Sequence, residues 1–511
     1  MIISVICVLK KNQKQNIMKK SLKKIALCIS FISLMLIINA QNEMDALRFS
    51  EVDWQGTARF MGAGKAFGAV GAEFSALNTN PASIGLFKKF EVTFTPMVIS
   101  IFKNSTGYNK TGTSAQAVKY NIGNAGVIFA LPGISNTQWK KFQIGFGYNR
   151  IKNYNNTFTI EGRSNGSTIG SVFALAAKGL DYENIDNWSD DTWFAWMSYI
   201  IDPVQDSHTS YTATFEKKDM FQTSTVTQKG GNDEMVFSFG TNYSDKLFLG
   251  ATVGVPFINY SENRTFNEVN DNESEKYKFQ QLSITDKLQV RATGINFKLG
   301  VIYQPLDFLR LGVAFHTPTY YGNVKDNLDR QMNSQIYDMV DGKEELLNVN
   351  VNYNNTFNYS LATPLRAMAN VAFLIAQRAF ISAEYEFADY SMARMYSVDY
   401  NFDKIENKAI QNKYGFCHIA RIGAEFNLTQ MFAIRAGYNY TSSPYKNKTN
   451  DGSKHYASAG FGFRTKYFSG DFAYAFTTSK EKYWMYDPAF VNAVNNKFIT
   501  HRIILTLGVR F

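Results

Sequence analysis

The sequence predicts an all-β protein: a transmembrane antiparallel β-barrel of about fourteen strands, with a small N-terminal helical hatch inside its lumen. Three observations predict this fold class. Aromatic residues make up 15% of the chain and glycine is frequent, yet no apolar run of about 18 residues follows position 38. Apolar residues alternate with small or polar residues in many segments. The connections between those segments are alternately short and long.

Residues 1–40 form a predicted signal peptide, with Met18 as the start. They contain seven lysines and no acidic residue; residues 18–24 are basic, residues 25–38 are apolar, and Ala40 is a small residue at which a signal peptidase can cut. Without those seven lysines, 46 basic side chains face 43 acidic ones, so the net charge falls from +10 to +3. The remaining chain offers no basic stripe for a nucleic-acid partner.

Cysteine usage excludes two further classes. Cys7 and Cys28 leave with the leader, so Cys417 stands alone. A single thiol forms no internal disulfide and no Cys-based metal site. We expect no metal and no cofactor.

Period-two alternation predicts a barrel over residues 89–511. In residues 247–257 the odd positions are apolar and the even ones mostly small, and residues 309–316, 381–387 and 432–439 repeat the pattern. Fourteen candidate strands follow from it: 90–100, 118–131, 141–161, 234–243, 247–260, 286–304, 308–320, 356–375, 379–391, 414–427, 431–442, 454–465, 469–478 and 498–511.

The connections separate a membrane barrel from a soluble sandwich, which can show the same alternation. Tight links such as "SDK", "PLD", "AQR" and "TQM" alternate with long links, the largest at residues 163–233. Bacterial barrels have an even strand number, short periplasmic turns and long external loops. A sandwich has no reason to sort its loops in this way.

Residues 41–88 precede the first strand and are rich in glycine and alanine. Fourteen strands enclose more space than barrel side chains fill, so we expect this segment to plug the lumen. Asn80-Pro81-Ala82 supplies a rigid bend, because proline fixes its own φ and restricts the residue before it. An ordinary turn before the first strand is the alternative.

Three segments resemble the FadL/TodX family of outer-membrane transport proteins. "GTARFMGAGKAFGAVGAEFSALNTNPAS" (56–83) resembles the family's amino-terminal hatch, and "LGVIYQPLDFLRLGVAFHTPTYY" (299–321) and "TPLRAMANVAFLIAQRAFISAEYEFADYS" (363–391) resemble two hairpins. Ser83 stands where the family usually has glycine. The resemblance implies passive uptake of hydrophobic small molecules, such as long-chain fatty acids or aromatic hydrocarbons, through the outer membrane of a Gram-negative bacterium.

The loop at 163–233 is the candidate site of ligand capture. It holds Trp188, Trp193, Phe194, Trp196 and Tyr199, and apolar patches of that size are rare without a role. The alternative is a loop that packs on its neighbours as a lid.

Inward-facing charges have two interpretations. Three consecutive predicted strands carry charged residues at positions that the alternation places on the inward face: Glu384, Glu386, Arg421, Glu425 and Arg435. An arginine among them can bind a carboxylate, whereas cross-strand pairs stabilise the wall. Inward glycines likewise either make room for the hatch or ease strand curvature.

The family's side exit, a kink in the third strand, maps to residues 142–158. We expect it at Gly145 and Gly147. The alternation of side chains along this strand then directs Arg150 and Lys152 toward the lipid, together with the apolar residues before them. Bound outer-membrane lipid is the expected neighbour of such an exit.

Three rival functions stay open. No His-Glu-x-x-His motif is present and the five histidines are scattered along the chain, so we predict no enzyme and no catalytic residue, although a barrel-embedded lipid hydrolase can assemble its site from distant strands. A haem-binding receptor needs an axial ligand, for which His208 is the candidate in the large loop. A plain porin predicts an open pore.

Overall fold

The computed structural model describes residues 43–108, 111–164, 166–214, 220–271, 279–376 and 378–511. The predicted signal peptide at residues 1–40 lies outside the described residues. Within them, no helix is long and apolar enough to cross a membrane.

The described residues contain twenty strands. They are β1 Glu91–Tyr108, β2 Thr111–Pro132, β3 Trp139–Asn153, β4 Asn156–Arg163, β5 Ile201–Pro203, β6 Tyr211–Ala213, β7 Phe221–Tyr243, β8 Leu247–Val269, β9 Phe279–Leu306, β10 Leu309–His316, β11 Tyr320–Val340, β12 Lys343–Ala362, β13 Arg366–Ile375, β14 Ala379–Asp389, β15 Arg394–Tyr396, β16 Phe416–Asn427, β17 Phe432–Thr441, β18 Lys454–Arg464, β19 Phe468–Tyr483 and β20 Val494–Arg510.

All strands except the β5–β6 pair form one closed antiparallel sheet, because β1 pairs with both β2 and β20. The sheet has fourteen strand positions. β3 and β4 share one position against β7, β10 and β11 share one against β9, β12 and β13 share the next, and β14 and β15 share another. The predicted fourteen-stranded antiparallel barrel is confirmed.

The two faces of the strands follow the predicted parity. On β10, Leu311, Val313 and Phe315 are exposed on the outer surface, whereas Ala314 and His316 are buried in the interior. An apolar outer face and a polar or small-residue inner face are what a lipid-embedded wall requires, because the hydrocarbon region offers no hydrogen-bond partners.

Several strands run past their predicted ends on the long-loop side. β7 begins at Phe221 rather than near 234, and much of the expected loop at 321–355 is the β11–β12 hairpin. These extensions carry polar residues on both faces, so hydrophobic alternation fades while backbone pairing continues. The sequence pattern marks the lipid-facing band, and hydrogen bonding sets the length of the strand.

Five α-helices and five short 3₁₀ turns complete the described residues. The helices are α1 Glu43–Ser50, α2 Ala58–Gly62, α3 Ile169–Ala177, α4 Asp190–Met197 and α5 Glu406–Lys413, and the 3₁₀ turns are Phe74–Asn78, Pro81–Leu86, Tyr182–Asn187, Tyr390–Met392 and Lys446–Lys448. Residues 43–87, which we call the hatch, contact inward-facing residues of the wall. Residues 166–214, which we call the lid, cover the long-loop end.

Candidate functional site

The hatch corner at Asn80-Pro81-Ala82 rests on a patch of inward-facing glycines. A Cβ at Gly250 would clash with the Pro81 backbone, and one at Gly300 would meet Asn80 Oδ1 and Ala82 N. Gly250 pairs with Gly300 across β8 and β9. These glycines allow the hatch backbone to approach the wall closely, which favours the first of the two interpretations that the sequence left open.

Asn80 joins the corner to the barrel. Its Oδ1 accepts a hydrogen bond from Ala82 N at 3.0 Å and caps the following 3₁₀ turn. Its Nδ2 donates to Val301 O at 3.4 Å and to Asn370 Oδ1 at 3.3 Å. The side chain is fully buried, so each of these groups depends on the others for its hydrogen bonds.

Ion pairs hold the rest of the hatch in place. Lys65 Nζ lies 2.6 Å from Asp53 Oδ1, whose second oxygen accepts from Arg502 Nη2 of β20 at 2.7 Å. Although burial acts to raise it, the pKa of the Asp53 carboxyl is held below its usual range by Lys65 and Arg502. Glu51 binds Lys152 of β3 at 2.7 Å and Lys454 of β18 at 3.1 Å.

The five predicted lumen charges form two buried groups. In the first, Arg421 binds Glu384 and Glu386, each at 2.5 Å, and Glu386 also binds Arg366 at 2.7 Å. Glu384 Oε2 accepts from Gly68 N of the hatch at 3.1 Å. This group therefore links three strands to the hatch.

The second group is centred on Glu425. Arg435 Nε donates to its Oε2 at 2.5 Å, and hatch residue Arg59 binds both of its oxygens at 2.8 Å. Arg435 also lies 2.7 Å from Asp471. The contribution of Arg59 is missing from the sequence prediction, because a single arginine in a glycine-rich segment gives no sign of its partner across the lumen.

The wall is split beside the hatch. β2 and β3 pair only from Asn124 with Asn149 to Pro132 with Lys141, so residues 111–123 of β2 and 150–153 of β3 do not pair with one another. At the split, Asp53 N donates to Ile151 O at 2.9 Å and Gln55 N donates to Arg150 O at 3.0 Å. The hatch thus supplies β3 with hydrogen bonds that β2 does not make.

The second side of the split is also tied to the hatch. Asn121 Nδ2 of β2 donates to Gln55 Oε1 at 3.2 Å. Met97, Ile99 and Ile151 of the wall pack with Trp54 in one buried apolar cluster next to it. Packed apolar side chains therefore extend from the hatch core to the split.

Gly145 and Gly147 do not lie at this split. They pair with Ile128 and Gly126 of β2, and a side chain at Gly147 would meet the ring of hatch residue Phe74. The predicted outward orientation is wrong for Lys152, which reaches the hatch at Glu51, because a register shift between β3 and β7 beyond Arg150 interrupts the alternation. Arg150 lies before the shift and binds Asp233 at 2.7 Å, on the strand face that also carries the exposed Met235.

The aromatic loop folds as a lid. Trp188 and Phe194 are buried in a cluster that includes Phe266, Phe279 and Met332 of the extended strands, and Trp193 and Trp196 pack against it. Arg330 of β11 pairs with Asp191 of α4 and fixes the lid to the wall. Tyr199, by contrast, is 46% exposed, so the five predicted capture residues divide between the lid core and its surface.

His208 lies on the lid surface. Its ring stacks on Tyr182 at 4.9 Å, and Tyr182 stacks on Trp196 at 5.7 Å. Asp181, Glu183 and His208 bring their ligand atoms within 4.8 Å of one another. Exposed carboxylates adopt such spacing widely without an ion, so we assign no metal here.

Comparison with known proteins identifies the class of this barrel. The model of the family described as outer membrane protein transport protein (OMPP1/FadL/TodX) matches residues 203–492, more than half of the chain. The chain belongs to the FadL/TodX family. No relative was found among curated protein sequences.

Solved structures of FadL/TodX proteins resemble this chain. A FadL homologue of Pseudomonas aeruginosa is 16% identical, with 90% of this chain and 98% of that chain covered and a TM-score of 0.53. The toluene transporter TodX of Pseudomonas putida is 12% identical over 90% and 99% (TM-score 0.49), and the toluene transporter TbuX of Ralstonia pickettii is 15% identical over 89% and 99% (TM-score 0.43). The chain has the fold of FadL/TodX outer-membrane channels for hydrophobic compounds, a class of transport proteins and not of enzymes.

Proposed function

We propose that the protein takes up hydrophobic small molecules, such as long-chain fatty acids or aromatic hydrocarbons, without energy coupling. The lid captures the molecule, the apolar hatch core holds it, and movement of the hatch releases it through the split between β2 and β3. The observation that carries the proposal is the hatch segment at 53–55, which bonds to both edges of the split. A wall opening that is closed by a separate segment can be opened without unfolding the barrel.

The capture step is assigned to the exposed side of the lid. Met197, Tyr199 and Val204 are exposed there and follow closely in sequence on Phe194 of the buried aromatic core. An apolar surface that faces water at the outer end can bind a hydrophobic molecule before it enters. Trp193 and Trp196 support this surface from below.

The hydrogen bonds of residues 53–55 contribute little free energy to closing the split. Two backbone hydrogen bonds and one side-chain hydrogen bond join residues 53–55 to β2 and β3, and each contributes about 0.5–1.5 kcal/mol net. Their sum is on the order of a few kcal/mol, which a ligand can offset by binding the open state more tightly. The rest of the sheet does not depend on these three hydrogen bonds.

A reversible cross-link tests the gate. Cysteines replace Gln55 and Asn121, whose side chains are in contact, and a reducible bifunctional thiol reagent joins them. Uptake of a labelled fatty acid and of labelled toluene is then measured in cells that lack their own channel of this class. We expect the cross-link to abolish uptake and reduction to restore it.

The matched control is a cysteine pair at Thr159 and Thr225, whose hydroxyls lie 3.0 Å apart across β4 and β7 without touching the hatch. Cross-linking this pair should leave uptake unchanged, and the native Cys417 is buried in both proteins. Full uptake through a channel shown to be cross-linked at 55 and 121 would contradict release at the split.

A further inference from the structure

A second feature of the lumen lies below the hatch, at the short-turn end. A cavity of about 840 Å³ is bounded by the end of the hatch and the two residues after it (86–89), the turns at 304–308 and 374–379, and the ends of β1, β16, β18 and β20. A neighbouring cavity of about 770 Å³ shares Arg59, Glu425 and Arg464 with it. We call the two together the vestibule. Its size suits a small-molecule ligand.

The main cavity of the vestibule is basic. Six cationic side chains and three carboxylates line it among the described residues; the cations are Arg59, Lys88, Lys89, Arg310, Arg464 and Arg510, and the carboxylates are Glu91, Asp307 and Glu425. Two of the carboxylates are already paired, Glu425 with Arg59 and Glu91 with Arg510. Asp307 is at the exposed rim.

Arg464 and Arg310 face the cavity without a carboxylate partner in the described part of the chain. Arg310 donates to Val70 O at 2.6 Å and to Gln304 Oε1 at 3.0 Å, both neutral acceptors. The Arg464 side chain makes no hydrogen bond or ion pair to any described residue, although it is half-buried. A charge that is withdrawn from water without a counter-charge is unfavourable, and a bound anion would relieve it.

Apolar side chains also line the cavity. Leu86, Phe87 and Phe380 are buried in its wall, and Phe308 at the turn is exposed. Cations and hydrocarbon in the wall of one cavity suit a ligand that has an anionic head and an apolar tail. A free inorganic anion would use only the cations.

We infer that the vestibule is a binding site for an oxyanion head group joined to an apolar tail, with Arg464 as the principal anion contact. The head group is the carboxylate of an alkyl acid or the phosphate of an inner-leaflet lipid, which share this chemistry. Because the vestibule opens at the short-turn end, the site fills from the periplasm without any movement of the hatch. It is therefore independent of the uptake proposed above.

Photolabelling of the purified barrel in nanodiscs tests the site. The probes are dodecanoate, dodecyl phosphate and dodecanol, each with a diazirine at the tail, and labelled peptides are identified by mass spectrometry. We expect either anionic probe to label the peptides around 304–310 and 372–380, and Arg464→Met to reduce this labelling about tenfold or more, since the lost contact is charge-assisted. Arg464→Lys should retain part of it, and the stronger of the two anionic probes identifies the natural head group.

Lys343→Met is the control, because Lys343 is exposed at the opposite end of the barrel and its loss changes the net charge equally. Its labelling should match the parent. Equal labelling by dodecanol, or unchanged labelling by the anionic probes in correctly folded Arg464→Met, would overturn the assignment. Inhibition by inorganic phosphate as strong as by unlabelled dodecanoate would also overturn it, because the tail would then contribute nothing.

Discussion

Asn80→Ala should loosen the hatch without unfolding the barrel. The substitution removes the Oδ1 that caps the turn through Ala82 N and the Nδ2 that bridges to Asn370 and Val301. Loss of a cap of this kind costs about 0.5–2 kcal/mol, and the two Nδ2 contacts are long and contribute less. About 2 kcal/mol lowers the ratio of docked to undocked hatch roughly thirtyfold. The barrel, held by fourteen paired strand positions, retains its fold.

The assay combines single-channel conductance with hydrogen exchange of the hatch. We expect exchange at residues 74–87 to accelerate and brief conducting openings to become more frequent, with normal heat-modifiable mobility. Asn80→Asp separates the two roles, because it keeps the capping oxygen and loses the bridging amide.

Asn78→Ala is the matched control. Asn78 is fully buried in the preceding 3₁₀ turn, and its amide has no hydrogen-bond partner among the described residues. If Asn80→Ala and Asn78→Ala show the same exchange and conductance as the parent, the corner is an ordinary turn and the gating argument fails.

Three further substitutions probe the hatch and the lid. Gly250→Ala should push the Asn80-Pro81-Ala82 corner off the wall and raise conductance, whereas Gly470→Ala, where a Cβ meets no atom within 4 Å, should not. Glu425→Gln removes a buried charge that binds two arginines, so it should lower the stability of the docked hatch by about 3–5 kcal/mol and speed hydrogen exchange at 56–64. Asp271→Asn, in an exposed ion pair, is its control and should change stability by less than about 1 kcal/mol. Trp196→Ala should cost the lid less than the ~3–5 kcal/mol of a fully buried tryptophan, because Trp196 is partly buried, and should be seen as faster proteolysis within the lid while the barrel stays intact. Unchanged cleavage would show that the aromatic core does not hold the lid.

The sequence by itself determined that the wall is a β-sheet with one face toward lipid and the other toward a lumen. Lipid on one face and a lumen on the other impose strict alternation, so Leu311, Val313 and Phe315 show which way β10 faces without any knowledge of its neighbours. The pattern ends where the lipid ends, however. The outer half of β7, from Phe221, lies in a region that the alternation does not mark.

The charged residues show the same division. Matching parity on neighbouring strands placed Glu384 and Arg421 together, because cross-strand partners are fixed by register. The alternation of side chains along a strand contains no information about a segment that crosses the lumen. The pairing of Glu425 with Arg59, 366 positions apart, therefore came only from the folded structure.

The tertiary structure alone decided where the pairing of the wall strands is interrupted. Gly145 and Gly147 look like the natural site of a kink, yet they pair with β2 and make room for Phe74. The split begins beyond Asn149, where a register shift turns Lys152 inward and the hatch backbone replaces a strand. A register shift depends on hydrogen bonds between chain segments that are distant in sequence, and side-chain periodicity within one strand does not record them.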